Sequence, residues 1–380
     1  MGTDYKPLGD FIRQVDDRNK DLSITNLLGV SIEKKFIPSI ANIVGTDLSN
    51  YKIVRTGQFA YGPVTSRNGE KISIAYLDSD DCIISSSYTV FEIVKKDELD
   101  SEYLMLWFNR PEFDRYVRYK SHGSVREIFD WNELCITEVP VPNIEEQRKV
   151  VKIYKEITDR IDLKRQINDN LAATLETAFV QLYQKLDEES SVPFNKLCSL
   201  ASSKRVFAGD YVTDGVPFYR GKEVTQKRNG EPISDPLFIT KEHFLTLKRN
   251  YGIPMCGDIL ITAVGTIGNS YLVQNEAFYF KDGNIIWLKD FVKPDINYYI
   301  YDYMQTSIFQ RNLEGICIGS TQTALTIVAL SNIKIKMPQA SEMMSYCQHS
   351  KAIRNAIQIN NREIIRLKQI AQSMLASLSH

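Results

Sequence analysis

From Ile144 to Leu186 the chain runs without proline or glycine, and its apolar residues recur in steps of three and four. Val150, Tyr154, Ile157 and Ile161 open the stripe, Lys164 and Asn168 interrupt it, and Leu171, Leu175, Ala178 and Leu182 resume it. This is the pattern of a coiled-coil seam. The 43 residues from 144 to 186 would make ~64 Å of α-helix, far more than a globular core requires of one element. A rod of that length spaces things apart.

The stripe occurs twice. Adding 196 to each position gives Tyr346, Ser350, Ile353, Ile357, Asn360, Ile364, Leu367, Ala371, Met374 and Leu378. Lys164 and Asn168 in one copy and Asn360 in the other read as a polar layer that sets register at some cost in stability, or as a contact for a partner. The repeat extends beyond the helices. Gly123-Ser124 stands 19 residues before Pro142, and Gly319-Ser320 stands 19 before Pro338. Upstream, Tyr51, Ile53, Gly57, Phe59 and Tyr61 align with Tyr251, Ile253, Gly257, Ile259 and Ile261 at an offset of 200, and Leu8 aligns with Leu197 at 189. The plan is globule, rod, globule, rod, with boundaries at 1–143, 144–190, 191–340 and 341–380.

Each globule reads as α+β. Tyr51 to Tyr61, Ile72 to Leu77 and Tyr88 to Val94 are β-rich runs separated by Gly, Asn, Asp and Ser. A helix is expected from Ser101 to about Lys120, with Leu104, Trp107, Phe108 and Phe113 inward, and its counterpart from Tyr298 to Asn312. Pro140 and Pro142 end the first globule, and Glu145 and Glu146 suit the start of the helix that follows. At 380 residues with 43% hydrophobic content, two cores are affordable in sequence terms.

Charge excludes a polyanion-binding chain of the uniformly basic kind. The first 143 residues hold 17 basic and 22 acidic side chains, and residues 191 to 340 hold 16 and 13, so nucleic-acid contact would have to come from local patches. No apolar run approaches the ~18 residues of a membrane span, and no signal peptide is read at the start. Six widely separated cysteines without a C-x-x-C pair suggest neither zinc nor a disulfide framework, and a cytoplasmic protein with reduced thiols is expected.

Catalytic constellations are weak. Asp235-Pro236-Leu237-Phe238 resembles the catalytic loop of amino-methyltransferases superficially, but Leu237 stands where a second proline belongs and no F-x-G-x-G loop is present; a turn before a strand is the plainer reading. Asp258 and Glu92 lack a second acid at nuclease spacing. The four histidines are isolated. Patches suited to nucleic acid are better represented. Arg110, Arg115, Arg118, Lys120, His122, Ser124 and Arg126 interleave with Tyr116 and Tyr119, which suits phosphate contact and base-edge reading; Glu112 and Asp114 are available to pair with Arg110 and Arg115. In the second globule Ser320, Thr321, Gln322 and Thr323 offer amides and hydroxyls to base edges. Arg67 and Asn68, the Tyr219-Arg220-Gly221-Lys222 run, and Lys227, Arg228 and Asn229 are further loop candidates. Gly265-Thr266-Ile267-Gly268 is either a phosphate cradle or a plain hairpin, with Thr266 at its tip.

On these features the chain resembles specificity subunits of type I DNA restriction–modification systems. The resemblance rests on GDILIT and GTIG between Gly257 and Gly268, on YRGKEV at Tyr219 to Val224, on the Gly-Ser loops, and on VPVPNIEEQ from Val139 to Gln147 feeding a long helix. It covers nearly the whole chain, with one departure: Met343 stands where Gln147 would recur. The resemblance implies two β-rich target-recognition domains separated by two long helices pairing as an antiparallel coiled coil, with an internal pseudo-two-fold repeat. It implies a non-catalytic protein that reads a bipartite, asymmetric site on double-stranded DNA and docks two methyltransferase subunits, with restriction subunits in some assemblies. S-adenosylmethionine and ATP would be bound by those partners and no cofactor by this chain. Ile153, Leu163, Ile167, Phe179, Ile359, Ile365 and Ile370 would then face partner helices, or the chain's own globules. Because the offset drifts, the two half-sites should differ, and four residues added to both rods should lengthen the preferred spacer by about two base pairs. A helical-spacer scaffold that binds only proteins is the competing reading.

Overall fold

The computed structural model describes residues 5–39, 45–66, 68–122, 127–315 and 324–378. They fall into two compact units, Met1–Arg160 with Leu367–His380, and Ile161–Arg366. No helix among the described residues is long and apolar enough to cross a membrane.

The first unit carries β1 (Tyr5–Pro7), β2 (Ile12–Val15), β3 (Leu28–Val30), β4 (Phe36–Pro38), β5 (Lys52–Val54), β6 (Phe59–Tyr61), β7 (Ile74–Tyr76), β8 (Cys82–Ile84) and β9 (Thr89–Ile93). There follow α1 (Ser101–Phe108), α2 (Pro111–Lys120), α3 (Trp131–Ile136), β10 (Glu138–Pro140) and the start of α4 (Ile144–Gln184). Strands β2, β9, β6 and β7 form an antiparallel sheet in that order, and β1 pairs with β10. Period-two alternation decides which side chain goes where. Phe59, Tyr61, Phe91 and Ile93 pack with Leu104, Trp107, Phe108 and Phe113 from the helices. Ala60 and Val90, one step away, pack with Val30, Val54, Cys82 and Ile84 from the smaller strand pairs.

The second unit carries the rest of α4, then β11 (Ser191–Pro193), β12 (Ser199–Ala201), β13 (Tyr211–Val212), β14 (Val216–Tyr219), α5 (Gly221–Arg228), β15 (Leu237–Ile239) and α6 (Lys241–Tyr251). After these come β16 (Ile259–Thr262), β17 (Ser270–Leu272), β18 (Tyr279–Phe280), β19 (Ile285–Lys289), α7 (Ile296–Gln305), α8 (Ser307–Glu314), α9 (Ile327–Ser331), β20 (Lys334–Lys336) and α10 (Ala340–Ser377). Its main sheet is β12-β19-β16-β17, with β11 on β20. This repeats the first unit strand for strand. A second sheet, β13-β15-β14-β18, has no counterpart in the first unit.

The duplication is also visible at single residues. Gly57 and Gly257 both sit at φ +94°, and their N–H groups donate to Leu77 and Val273 across the same turn. Positive φ is the reason for glycine at both places. Phe59 pairs with Tyr76, and Ile259 with Leu272; the offset therefore falls from 200 to 196 within the hairpin joining the last two strands, which is four residues shorter in the second unit. Upstream of Gly57 the alignment at 200 does not describe equivalent structure: Ile53 lies in β5, whereas Tyr251 ends α6 and Ile253 follows it. The largest difference lies between the first sheet strand and Gly57 or Gly257, where one unit inserts strand pairs and the other inserts α5, α6 and most of the second sheet.

The expected helices after the sheet are each broken in two. Pro111 has no N–H to continue α1 and holds Arg110 extended, with ψ 138°. In the second unit Thr306 is extended, and its hydroxyl caps α8 by accepting from the Phe309 N–H at 3.3 Å.

Within the second unit α4 and α10 run antiparallel. Lys164 and Asn168 of α4 meet Asn360 and Asn361 of α10, while Phe179, further along α4, lies 5.9 Å between ring centroids from Tyr346, near the start of α10. Ile161, Leu175 and Ile364 are buried in the seam; Leu171, Ile353 and Ile357 are half-buried. In the first unit Val150, Tyr154 and Val151 share a cluster with Leu375 and Leu378, and Ile157 and Leu367 are half-buried. One seam position is corrected. Ala178 is exposed, and Phe179 is fully buried with Tyr183, Tyr299 and Tyr303. A straight helix drifts ~20° per heptad from a strict seven-residue repeat, so by its fourth heptad the buried line has moved one residue on. Phe179 thus belongs to the second globule's core and not to a face left for partners.

Candidate nucleic-acid interface

In each unit two loops that are far apart in sequence are held side by side. In the first, the β6–β7 hairpin lies against the segment after α2. The Thr65 N–H donates to Glu127 O at 2.9 Å, the Phe129 N–H to Pro63 O at 2.8 Å, and the Thr65 hydroxyl to Ser121 Oγ at 3.0 Å. His122 and Ile128 exchange backbone hydrogen bonds of 3.1 and 2.9 Å. This junction brings together Asn68, Arg118 and Lys120. Arg67, Ser124 and Arg126 lie outside the described residues.

The cations here are partly balanced. Arg118 is paired with Glu127, Lys120 Nζ lies 3.6 Å from Glu133, and Arg115 Nη2 donates to Glu112 at 2.9 Å. Tyr119 is 81% exposed, so its ring is open to a partner. Asn68 turns back on its own loop, its N–H on Thr65 O at 2.9 Å and its amide nitrogen 3.4 Å from Val64 O. Arg110 is buried and leans over the Trp107 ring at 5.5 Å. Asp114 does not serve Arg110 or Arg115; it accepts from buried Lys34 at 2.9 Å.

In the second unit the β16–β17 hairpin lies against the segment after α8, through a backbone bridge between Val264 and Ala324 and a 2.8 Å hydrogen bond from Leu325 N–H to Ala263 O. Ser320, Gln322 and Thr323 lie outside the described residues. Thr266 is exposed at the tip of the hairpin, between Gly265 at φ +78° and Gly268 at φ +91°. The Ile267 and Gly268 N–H groups are already used, on Gly265 O and Thr262 O at 2.9 and 3.0 Å, so two amides of a phosphate cradle are taken by the hairpin itself.

The cations of α5 divide sharply. Arg220 donates from Nη2 to Glu223 Oε1 at 2.6 Å and from Nε to Oε2 at 3.1 Å, and its N–H caps the helix on the same carboxylate at 2.7 Å. Burial would push the Glu223 carboxyl up, but the hydrogen bonds from Arg220 outweigh it and hold the group below its ordinary value. Lys227 lies 2.6 Å from Glu276, which also accepts from the hydroxyls of Tyr219 and Tyr271. Arg228 donates to Asn269 Oδ1 at 2.5 Å and Gln305 Oε1 at 3.1 Å. Lys222 is exposed, with no carboxylate within reach among the described residues.

Helix α6 adds a patch that the sequence reading passed over. Lys241, Lys248 and Arg249 are exposed and unpaired among the described residues, and Lys204 lies 5.5 Å from the centre of the Tyr251 ring. Its signals were present: the Thr240 hydroxyl accepts from the His243 N–H at 3.2 Å, and Gly252 closes the helix at φ +79°.

The weaker catalytic candidates have structural duties. Asp258 is buried and accepts from the Met255 N–H and the Trp287 indole, each at 2.8 Å; burial pushes its carboxyl up. Gln58 caps the equivalent turn of the first unit, accepting from the Arg55 N–H at 2.9 Å. Glu92 accepts from Arg13 and from Gln58. Asp235 precedes β15 and lies 3.8 Å from Arg220.

Comparison with known proteins agrees with this twofold design. The type I restriction modification DNA specificity domain matches the chain twice, over residues 31–173 and 194–369. A putative type I restriction enzyme specificity subunit of Haemophilus influenzae is 24% identical over 256 residues, 65% of this chain and 62% of that protein, so the match spans less than two thirds of that relative's length. The type I restriction enzyme MjaVIII specificity subunit of Methanocaldococcus jannaschii is 20% identical over 321 residues, 76% of this chain and 72% of that protein. Among solved structures, the S subunit of a type I restriction-modification system from M. genitalium shares the fold, with a TM-score of 0.60 at 13% identity over 100% of this chain and 96% of its own. With both globules matched by one domain description, each in the same sheet order and with its loops paired in the same way, the chain belongs to the family of type I restriction–modification specificity subunits.

Proposed function

We propose that this chain is the sequence-reading subunit of a type I restriction–modification complex, in which each globule reads one half of a bipartite, asymmetric site on double-stranded DNA. The observation that carries the proposal is that one sheet and one pair of adjacent loops are built twice, with hairpins of different length and unrelated insertions. A shared scaffold with different loops reads two different half-sites. Asn68, Arg118, Lys120 and Tyr119 in the first globule, with Arg67, Ser124 and Arg126 nearby in sequence, form one reading surface. Lys222, Thr266 and the cations of α6, with Ser320, Gln322 and Thr323, form the other. Exposed cations contact phosphates, and hydroxyls, amides and rings meet base edges.

The chain itself is not an enzyme. Two methyltransferase subunits dock on α4 and α10, and restriction subunits join in cleavage-competent assemblies; S-adenosylmethionine and ATP are bound by those partners. Ile153, Leu163 and Ile167 on α4 and Ile359 and Ile370 on α10 remain exposed, apolar side chains of the kind that partner helices cover. The division into 1–143, 144–190, 191–340 and 341–380 separates reading globules from docking helices in this scheme.

Co-expression with the modification subunits, followed by genome-wide mapping of methylated adenine, tests the proposal. One motif of two unlike halves around a constant spacer is expected. Absence of any motif, or two identical halves, would overturn it, and a complex that binds protein partners but no duplex would establish the scaffold reading instead.

A further inference from the structure

In the sequence Arg228 stands as a cation able to reach DNA, yet in the fold its guanidinium is committed inward at the foot of the reading hairpin. A continuous chain of hydrogen bonds runs from α5 to the hairpin tip. Arg228 donates to Asn269 Oδ1 at 2.5 Å, and the Asn269 amide nitrogen donates back to the Thr225 hydroxyl on α5 at 3.0 Å. The Asn269 N–H donates to the Thr262 hydroxyl at 3.0 Å, and that hydroxyl donates to the carbonyl of Thr266. A second arm leaves Arg228 for Gln305 Oε1 at 3.1 Å, and Gln305 Nε2 donates to Ser270 Oγ at 2.7 Å. Thr262 and Ser270 are fully buried. Both strand ends of the hairpin are therefore gripped, one through Thr262 and one through Ser270, and Arg228 is the group common to both arms.

The same C-terminal end of α5 has a second definite seat. Gly230, at φ +67°, follows the helix, and a Cβ there would overlap the side-chain amide of Asn361. Asn361 belongs to the polar layer in which its Oδ1 accepts from Asn168 at 2.8 Å. The C-terminal end of α5 thus lies against both the polar layer of the helix pair and the foot of the hairpin that carries Thr266.

We propose that Arg228 is a positioning residue for sequence specificity: through Asn269 and Gln305 it fixes the β16–β17 hairpin in the pose that reads one half-site, and it makes no contact with DNA. This rests on the proposed recognition function. A cation touching phosphate and a cation locking a hairpin give opposite signatures. Loss of a phosphate contact weakens binding to all sequences alike and flattens the dependence of log K on log salt by about one. Loss of the lock leaves that slope alone and relaxes base choice.

The test uses the complete complex with its modification subunits, selecting from a pool of random duplexes, with Arg228→Gln, Arg228→Lys and Lys222→Gln. Arg228→Gln is expected to lose on the order of tenfold in discrimination in one half-site only, at unchanged salt slope. Arg228→Lys, which keeps the charge but cannot fork to Asn269 and Gln305 together, is expected to fail to restore it. Lys222→Gln is expected to do the reverse, flattening the slope and keeping the motif. In both Arg228 variants the amides of 262–270 should exchange with solvent about tenfold faster. A retained motif with a flatter slope, restoration by lysine, or unchanged exchange in the hairpin overturns the inference while leaving the recognition function intact. A wild-type complex that selects no motif removes both. Should Arg228→Gln fail to fold, Arg228→Lys alone decides between the two signatures.

Discussion

Asp302 is nearly inaccessible, at 2% exposure, and is satisfied four times over from α10. It accepts from the Tyr346 hydroxyl at 2.8 Å, the Ser350 hydroxyl at 2.5 Å, and Arg354 Nη2 and Nε at 2.6 and 3.0 Å. Burial, reinforced by the Asp302 charge, pushes the Tyr346 phenol far above its ordinary value. A buried charge pair stripped of one partner is worse than no pair, because the survivor keeps its desolvation cost. Asp302→Ala should therefore lower stability by about 3–5 kcal/mol, read as the shift in urea unfolding of the second unit's signal, and Asp302→Leu combined with Arg354→Leu should cost clearly less than the two single changes summed. Equal additive losses would mean that the pair is not coupled. Gly57 and Gly257 allow a second test at this scale. Alanine at φ +94° should destabilise by at least ~1 kcal/mol at either position, and matching losses in separate melts of the two variants would establish the repeat energetically. The glycines were legible in the sequence as an aligned pair. The Asp302 cluster was not, since Tyr346 and Ser350 appear there only as two more positions on a seam.

The long helices start differently although they end up alike. Gln147 is fully buried at the start of α4; its amide nitrogen donates to Glu98 O at 2.7 Å and Pro142 O at 2.8 Å, and its oxygen accepts from the Asp100 N–H at 2.9 Å. In α10 Met343 occupies the equivalent place inside the apolar core. Gln147→Met should therefore destabilise the first unit by about 1–3 kcal/mol, because three part-buried backbone groups lose partners, and hydrogen exchange at Glu98 to Asp100 should rise with it. The polar layer also changes what a substitution is expected to do. Read as a seam position alone, Asn168→Leu promises a more stable rod with looser register. In the structure Asn168 donates to Asn361 at 2.8 Å and accepts from Asn360 at 2.9 Å, while Lys164 reaches Asn360 at 3.1 Å and pairs with Glu363. Leucine would strand two amides, so a loss of about 1 kcal/mol is expected in thermal or urea unfolding; a gain would show that the layer is dispensable.

For the whole molecule, the divergence between the repeats is confined enough to be moved. The shared sheet and the helices after it are common to both units, and the unlike material lies between the first sheet strand and Gly57 or Gly257, together with the hairpin that is four residues shorter in the second unit. Replacing residues 202–258 and the 263–269 hairpin with the matching segments of another specificity subunit should change one half of the methylated motif and leave the other half and the spacer as they were. The check is adenine-methylation mapping of the chimera. A change in both halves would mean that the globules do not read independently.

Periodicity and repetition are properties of neighbouring residues along the chain, and they were sufficient to indicate two globules, two rods and polar interruptions of the seam, while short motifs such as GDILIT and YRGKEV carried the resemblance to the family. The 3.6-residue turn of a helix and the two-residue pleat of a strand translate directly into which positions are buried. What became of each long polar side chain depended on contacts made across dozens of residues. Arg228 meets Gln305, Asp302 meets Arg354, and Asp114 turns to Lys34 although two arginines stand beside it in sequence. A cation in a loop is written in the chain as available. Only the closing of the sheet and its helices, which decides whether a carboxylate or amide lies within 3 Å of that cation, makes it a tie within the fold or a contact held ready for DNA.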